Sequence, residues 1–320
     1  MYEQMVARRM AGVALASYLL IAAVSSFGGL PHHSQVPVEE RPKPTQDKAA
    51  MSYMQSILSY PSRWTQAAVF IAKQERTVTN EGEAAKGFIV LRVTSDFGDV
   101  AVPRMLVVPA DALRRRLPVT VAAFEATEGG NVIALCPPAV AKPSPIYVAN
   151  IPAECQDILK RSLARIRAFR GGKSVDEKGQ KARALLDANT DICAAYLGRY
   201  LASQKVSNSK GVAAGLHDEL LAKRDSPTLG LLARAAISEG LAACDAEYRK
   251  RREHTDWLRK RIAERPKIGF RGWEELLTLL YKYTTPSEIV EQDLPLMLEL
   301  LDRPEAVSEP ELFTNPMLVG

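Results

Sequence analysis

The spacing of hydrophobic positions changes character along the chain, and the first change is the sharpest. Met10–Leu30 carries no charged side chain, follows Arg8-Arg9 and ends at Pro31. At ~1.5 Å rise per residue such a run crosses a hydrocarbon core of about 30 Å, so residues 1–30 read as a signal anchor or transmembrane helix. A cleaved signal peptide is the competing reading, with Ala23-Val24-Ser25 or Val24-Ser25-Ser26 as the processing site. Its apolar region usually runs only ~7–15 residues, and this one is longer. Arg8 and Arg9 precede the run and no Lys or Arg follows until Arg41. The positive-inside rule then keeps the short N-terminus inside and sends the bulk across the membrane. The expected location is a single-pass inner (cytoplasmic) membrane with the bulk extracytoplasmic, or alternatively an organellar inner membrane.

Residues 31–48 contain four prolines and almost no large apolar side chain, the composition of an extended spacer. The pair His32-His33 within it lacks further ligands and reads as solvated. Met51, Met54, Ile57 and Leu58 then recur at helical spacing, and Pro61 ends that helix. From Trp64 to Asn150 the period shortens to that of strands: 67–72, 87–94, 100–109, 119–127, 131–135 and 146–150 are β-rich runs between turn signals. Gly129-Gly130 marks a hairpin. Pro103 assigns its run to an edge or a bulged strand. Residues 49–150 are thus expected to form a small antiparallel β barrel or sandwich.

Pro137 to Pro152 is proline-rich, and beyond it the period becomes helical. The pattern predicts helices over 154–169, 176–201, 208–223, 227–263, 271–283 and 287–301, with Pro295 kinking the last. Ser226 and Pro227 read as the cap and first residue of the long one. The expected fold class is α+β: an N-terminal transmembrane helix, the β module, an all-α helical domain over 151–302, and an extended tail, 303–320. In that tail Leu312, Phe313, Met317 and Leu318 are spaced by prolines, as in segments that lie along a partner.

Composition adds little: 320 residues, 47% apolar and 25% charged, with a net charge of +5, is ordinary for a globular chain and does not call for nucleic acid. Charge is unevenly placed, however. Residues 156–183 carry nine basic side chains against three acidic, and 286–311 carry eight acidic against one basic. The acidic end can fold back on the basic helices, or each can face a separate subunit. The basic region lacks interleaved aromatic platforms, so no nucleic-acid partner is expected. Four cysteines, Cys136, Cys155, Cys193 and Cys244, in a chain bound for an oxidising compartment suggest two disulfides, with sequence neighbourhood favouring Cys136–Cys155 and Cys193–Cys244. The second pair falls on two helices that can pack antiparallel. The alternative is four buried free thiols.

No nucleophile elbow, zinc-protease, P-loop or dinucleotide-binding spacing occurs, and no cofactor or metal is expected. His217-Asp218-Glu219 suggests a base with carboxylates, yet adjacent helix residues do not share a face, so it reads as a solvated edge. His254, among arginines and lysines, reads as part of a charged helix face. The pattern as a whole points to a membrane-anchored, non-catalytic accessory or scaffold subunit whose partners are the membrane and other protein subunits. The rivals are an extracytoplasmic binding protein for a ligand or peptide, and a hydrolase with dispersed catalytic residues.

Overall fold

The computed structural model describes residues 46–78, 88–109, 130–136, 147–203, 212, 215–250, 252–264 and 269–295. The expected transmembrane segment Met10–Leu30, most of the spacer, the strand run 119–127, and the tail residues Leu312, Phe313, Met317 and Leu318 lie outside them. Among the described residues, no helix is long and apolar enough to cross a membrane. The architecture is mixed α+β, a five-stranded antiparallel sheet with a mostly helical remainder. The described residues fall into two compact units, 46–254 and 255–295.

The first unit opens with α1 (Gln46–Leu58), whose Met51, Met54, Ile57 and Leu58 are all buried. Pro61 both stops α1 and starts α2 (Pro61–Gln66), because a proline fits the first helical position, where its missing N–H costs nothing. Buried Trp64 ties the two together, its indole Nε1 donating to the Leu58 carbonyl at 2.7 Å.

Five strands follow: β1 (Ala68–Val78), β2 (Phe88–Asp96), β3 (Met105–Pro109), β4 (Asn131–Cys136) and β5 (Tyr147–Asn150). They pair antiparallel in the order β3-β2-β1-β4-β5. Side chains alternate between faces along a strand. One face gathers Phe70, Leu91, Leu106, Val108, Val132 and Ala134 into a buried cluster. Val69, Ile71, Ile133 and Leu135 on the other face are buried as well, which is why β1 and β4 read as nearly continuous apolar runs rather than alternating ones. Pro103 precedes β3, and β3 is an edge of the described sheet.

A 3₁₀ turn at Ala153–Cys155 leads into α3 (Gln156–Arg170), which buries Leu159, Leu163, Ile166 and Phe169. Arg170 pins α3 to its surroundings: it is ion-paired with Asp99 in the β2–β3 connection and donates to the Tyr196 hydroxyl at 3.2 Å. Ser174 caps α4 (Val175–Asp187), accepting the Glu177 N–H at 3.1 Å. The single helix expected over 176–201 is interrupted. Asn189 takes a left-handed φ of 49°, and α5 (Asp191–Ser203) starts afresh. Asparagine is among the few residues that adopt this conformation readily.

The long helix expected over 227–263 is likewise divided. After α6 (His217–Asp225) come α7 (Leu231–Cys244), α8 (Ala246–Lys250) and α9 (Glu253–Ala263). Asp245 stops α7 and caps α8, its Oδ1 accepting from the amides of Glu247 at 2.8 Å and Tyr248 at 3.2 Å. Arg252, with φ 61°, separates α8 from α9.

The α5–α7 pair is the tightest packing in the unit. Asp191 meets Gly230, Gly198 meets Ala236 and Gly240, and Leu201 meets Cys244. The partners rise together along both helices, so the pair is parallel and not antiparallel. Small residues let the backbones meet: a Cβ on Gly198 would stand 2.2 Å from the Ala236 carbonyl oxygen.

The second unit holds α9 from Thr255 onward, α10 (Gly269–Tyr283) and a terminal turn, Pro286–Glu288, running into a π-helical segment, Ile289–Asp293. Thr285 and Glu288 form a reciprocal cap, with the Thr285 N–H donating to Glu288 Oε2 at 2.8 Å and the Glu288 N–H to Thr285 Oγ1 at 3.4 Å. The widened turn lies just before Pro295, which has no N–H to continue an α-helical ladder; the rest of the helix expected over 287–301 lies outside the described residues. Fully buried Asp293 binds Arg259 Nε at 2.7 Å. At this position, then, the acidic end is matched by a basic residue of α9.

Candidate functional site

A serine and a histidine ring meet in the first unit. Ser238 on α7 and His254 on α9 approach with Oγ···Nδ1 at 2.8 Å. The Ser238 Oγ also meets the Tyr248 hydroxyl at 2.8 Å, and Tyr248 accepts from Arg224 Nη1 at 2.9 Å. Because a guanidinium only donates, a consistent order runs from Arg224 to Tyr248 to Ser238 to His254, with His254 Nδ1 as the final acceptor. Burial pushes the Tyr248 phenol up, with Ser238 and Arg224 opposing, so it stays protonated and able to donate.

A nucleophilic serine needs the same pairing with a base. It also needs access to substrate, and here Ser238 is 0% and His254 2% exposed. The chain of hydrogen bonds therefore joins α6, α7, α8 and the start of α9 internally. His254 does not lie on the solvated helix face that its basic neighbours suggested. Arginines and lysines dominate the local sequence, but the 3.6-residue period turns His254 inward with Leu258 and Ile262, both buried.

His217 stands nearer the surface. Its Nε2 faces Asp245 Oδ2 at 3.1 Å and its Nδ1 faces Asp218 Oδ1 at 3.3 Å. Each ring nitrogen thus has a carboxylate oxygen within reach, and because carboxylates only accept, a neutral ring donates to one of them at a time. Partial burial pushes Asp245 up, but the amides of Tyr248 and Glu247 and the nearby imidazole together hold it below its ordinary value. Glu219 does not join His217; it binds Arg183 Nε at 2.9 Å.

Sequence reasoning gave no sign of Asp191. This first residue of α5 is 2% exposed. Its Oδ1 accepts the Gly230 N–H at 2.8 Å at the N-cap of α7, while Oδ2 has no hydrogen-bond partner. One carboxylate therefore sits at the N-termini of two parallel helices, where their dipoles favour negative charge. Burial pushes its carboxyl up to about 7, against the pull of the Gly230 amide and Arg234. Only a tertiary contact between residues 39 apart reveals it.

All four cysteines are buried and free. Cys193 lies against the Ser162 carbonyl and Cys244 against that of Leu201, each at 3.8 Å. Leu201 is eight residues beyond Cys193 on α5, about 12 Å along the axis. Disulfide-bonded Cα atoms are usually 4.4–6.8 Å apart, so the parallel pair keeps these two thiols apart. Cys136 ends β4, while Cys155 follows β5 beyond Ile151, whose N–H meets Asn131 at the other end of β4. That is about 16 Å of strand. Burial pushes the Cys136 thiol up to about 12, which leaves it inert.

Among the described residues no group of three or more His, Cys, Asp and Glu side chains is placed to hold a metal. The expected partner contacts Leu312, Phe313, Met317 and Leu318 are outside the described residues. No protein-family model matches the chain, and neither does any curated protein or solved structure.

Proposed function

We propose that this chain is a membrane-anchored, non-catalytic accessory or scaffold subunit of a membrane-associated protein complex. Met10–Leu30 is its transmembrane helix, and its bulk is extracytoplasmic on an inner membrane. The sheet belongs to a small barrel or sandwich, 151–302 is the helical body, and the tail 303–320 docks on a partner subunit through Leu312, Phe313, Met317 and Leu318. The observation that carries this reading is the interior placement of the Ser238–His254 pair. The arrangement that most resembles reactive chemistry is closed to substrate and serves to join helices.

The test is to delete 303–320 from the full chain and compare melting temperature with recovery of the complex from its native membrane. The proposal expects an unchanged melting temperature and reduced recovery of partner subunits. A lowered melting temperature with undiminished recovery would show that the tail packs on its own chain, and would remove the partner role.

A further inference from the structure

Burial on the outer face of the sheet stops at its β3 side. Ile71 and Ile133 on that face are buried, but Met105 is 46% and Val107 58% exposed. Cross-strand register sets Lys73, Arg92 and Met105 in one row, with Val107 beside Val90 in the next. Lys73 and Arg92 are exposed. Glu75 pairs with Arg92 and offsets part of its charge. Arg104, paired with Val93, belongs by alternation to the opposite face, with Leu106 and Val108. The result is a small patch of two apolar side chains flanked by two cations, one of them paired with Glu75.

Two properties of this patch select its occupant. First, its edge is poorly suited to another strand. Val93 N–H donates to the Arg104 carbonyl at 2.9 Å, so even-numbered residues of β3 turn their backbone groups to β2 and odd-numbered ones turn away. Two of the outward positions, Pro103 and Pro109, have no N–H, which is how sheets blunt an edge against strand addition. Second, a patch of four side chains is far below the ≈ 1,000 Å² of a stable protein interface. A weak contact suffices only where a tether keeps the surface close. The 15 residues between Leu30 and Gln46 span at most about 50 Å in any conformation, so an anchored chain keeps this face within reach of the bilayer.

We infer that the outer face of β2 and β3, with Met105 and Val107 beside Lys73 and Arg92, is a second and reversible contact with an anionic lipid surface. The cations meet the headgroups, and Met105 and Val107 enter the interfacial region, as in other peripheral membrane contacts. The inference rests on the anchor proposed above, and the experiment separates the two.

Full-length Met105→Cys is labelled with an environment-sensitive fluorophore and reconstituted into vesicles of phosphatidylcholine with or without phosphatidylglycerol, each with a nitroxide-lipid quencher. Wild type, whose four thiols are buried, gives the labelling background. Val107→Cys is the second variant should Met105→Cys fail to fold. The expected result is a blue-shifted, quenched label in phosphatidylglycerol vesicles that becomes water-like in phosphatidylcholine alone or at high salt. Adding Lys73→Gln should weaken the contact about fivefold. Water-like emission in both vesicles from a chain that resists carbonate overturns this inference and leaves the anchor intact. Quenching by anionic vesicles from a chain that carbonate releases keeps the surface contact and removes the anchor; release without quenching removes both. Crosslinking between the introduced cysteines of two chains marks a protein interface and overturns the lipid assignment.

Discussion

Replacing Gly198 by alanine tests the parallel α5–α7 pair where it is tightest. The added methyl would stand 2.2 Å from the Ala236 oxygen, 2.3 Å from its carbonyl carbon and 2.6 Å from the Ile237 nitrogen. All three are backbone atoms within α7, so no side chain can rotate aside. The helices must separate by roughly an ångström, and contacts along the pair are lost with the gap. Overpacking of this kind costs about 1–3 kcal/mol, occasionally more, while alanine recovers up to ~1 kcal/mol of helix propensity. The clash is the larger effect. For a unit of about 200 residues each kcal/mol corresponds to ~2–4 °C, so Gly198→Ala should lower the melting temperature by several degrees. Gly240→Ala should do less, because its nearest neighbour, the Gly198 oxygen, would be at 2.8 Å. Gly179→Ala on α4 meets nothing within 4 Å and should stabilise by about 0.5–1 kcal/mol. Thermal denaturation followed by circular dichroism reads all three. If Gly198→Ala melts at or above wild type while Gly179→Ala rises, the close parallel packing is wrong.

Other expectations follow from the same contacts. Asp191 keeps its proton to about pH 7 when folded but to only ~4 when unfolded. Its contribution to stability is therefore full below pH 4 and lost as pH rises towards 7; Asp191→Asn should raise the melting temperature at pH 8 and leave it nearly unchanged at pH 4, and equal shifts at both would contradict this. Ser238→Ala leaves Tyr248 and His254 each short of a partner, so stability should fall by about 1–3 kcal/mol, and a fluorophosphonate probe should leave wild-type Ser238 unlabelled; labelling there would restore the hydrolase reading. The four thiols should resist alkylation in the folded chain and all react after denaturation without reductant, whereas two thiols or none would indicate bridges. Asp293→Ala leaves the Arg259 guanidinium with Asp256 at 3.4 Å; removing one partner of a buried pair costs ~3–5 kcal/mol, and because Arg259 is partly exposed and keeps that second carboxylate, the loss should fall below that range, and an unchanged urea midpoint would show the pair to be idle.

The parts of the fold most legible in the sequence are those where local pattern and tertiary context agree. The Met51–Leu58 stripe, the β2 and β4 runs and the proline before β3 each carried a signal that the packing reinforces. Less visible were the interruptions at Asn189, Asp245 and Arg252. None is a glycine or proline, and each depends on a conformation or cap that many helical sequences also permit. The run Lys73–Val78 hid the second half of β1, since its pairing with β2 shifts between Gln74 and Arg76 and breaks the alternation. The polar networks were opaque for a different reason. His254 and Ser238, like Asp191 and Gly230, are far apart in sequence, and their roles come from helix packing. Charge counting likewise missed that α3 and α4 match part of their excess with acids from elsewhere, Arg170 with Asp99 and Arg183 with Glu219.

The central claim is a chain held in a membrane by its own N-terminus, and one measurement addresses it directly. Native membranes are washed with alkaline carbonate, and the protein's intact mass is determined in the pellet and in the supernatant. The account predicts an uncleaved chain of 35.1 kDa in the pellet. A shortened chain beginning near Ser26, recovered in the supernatant, would contradict it.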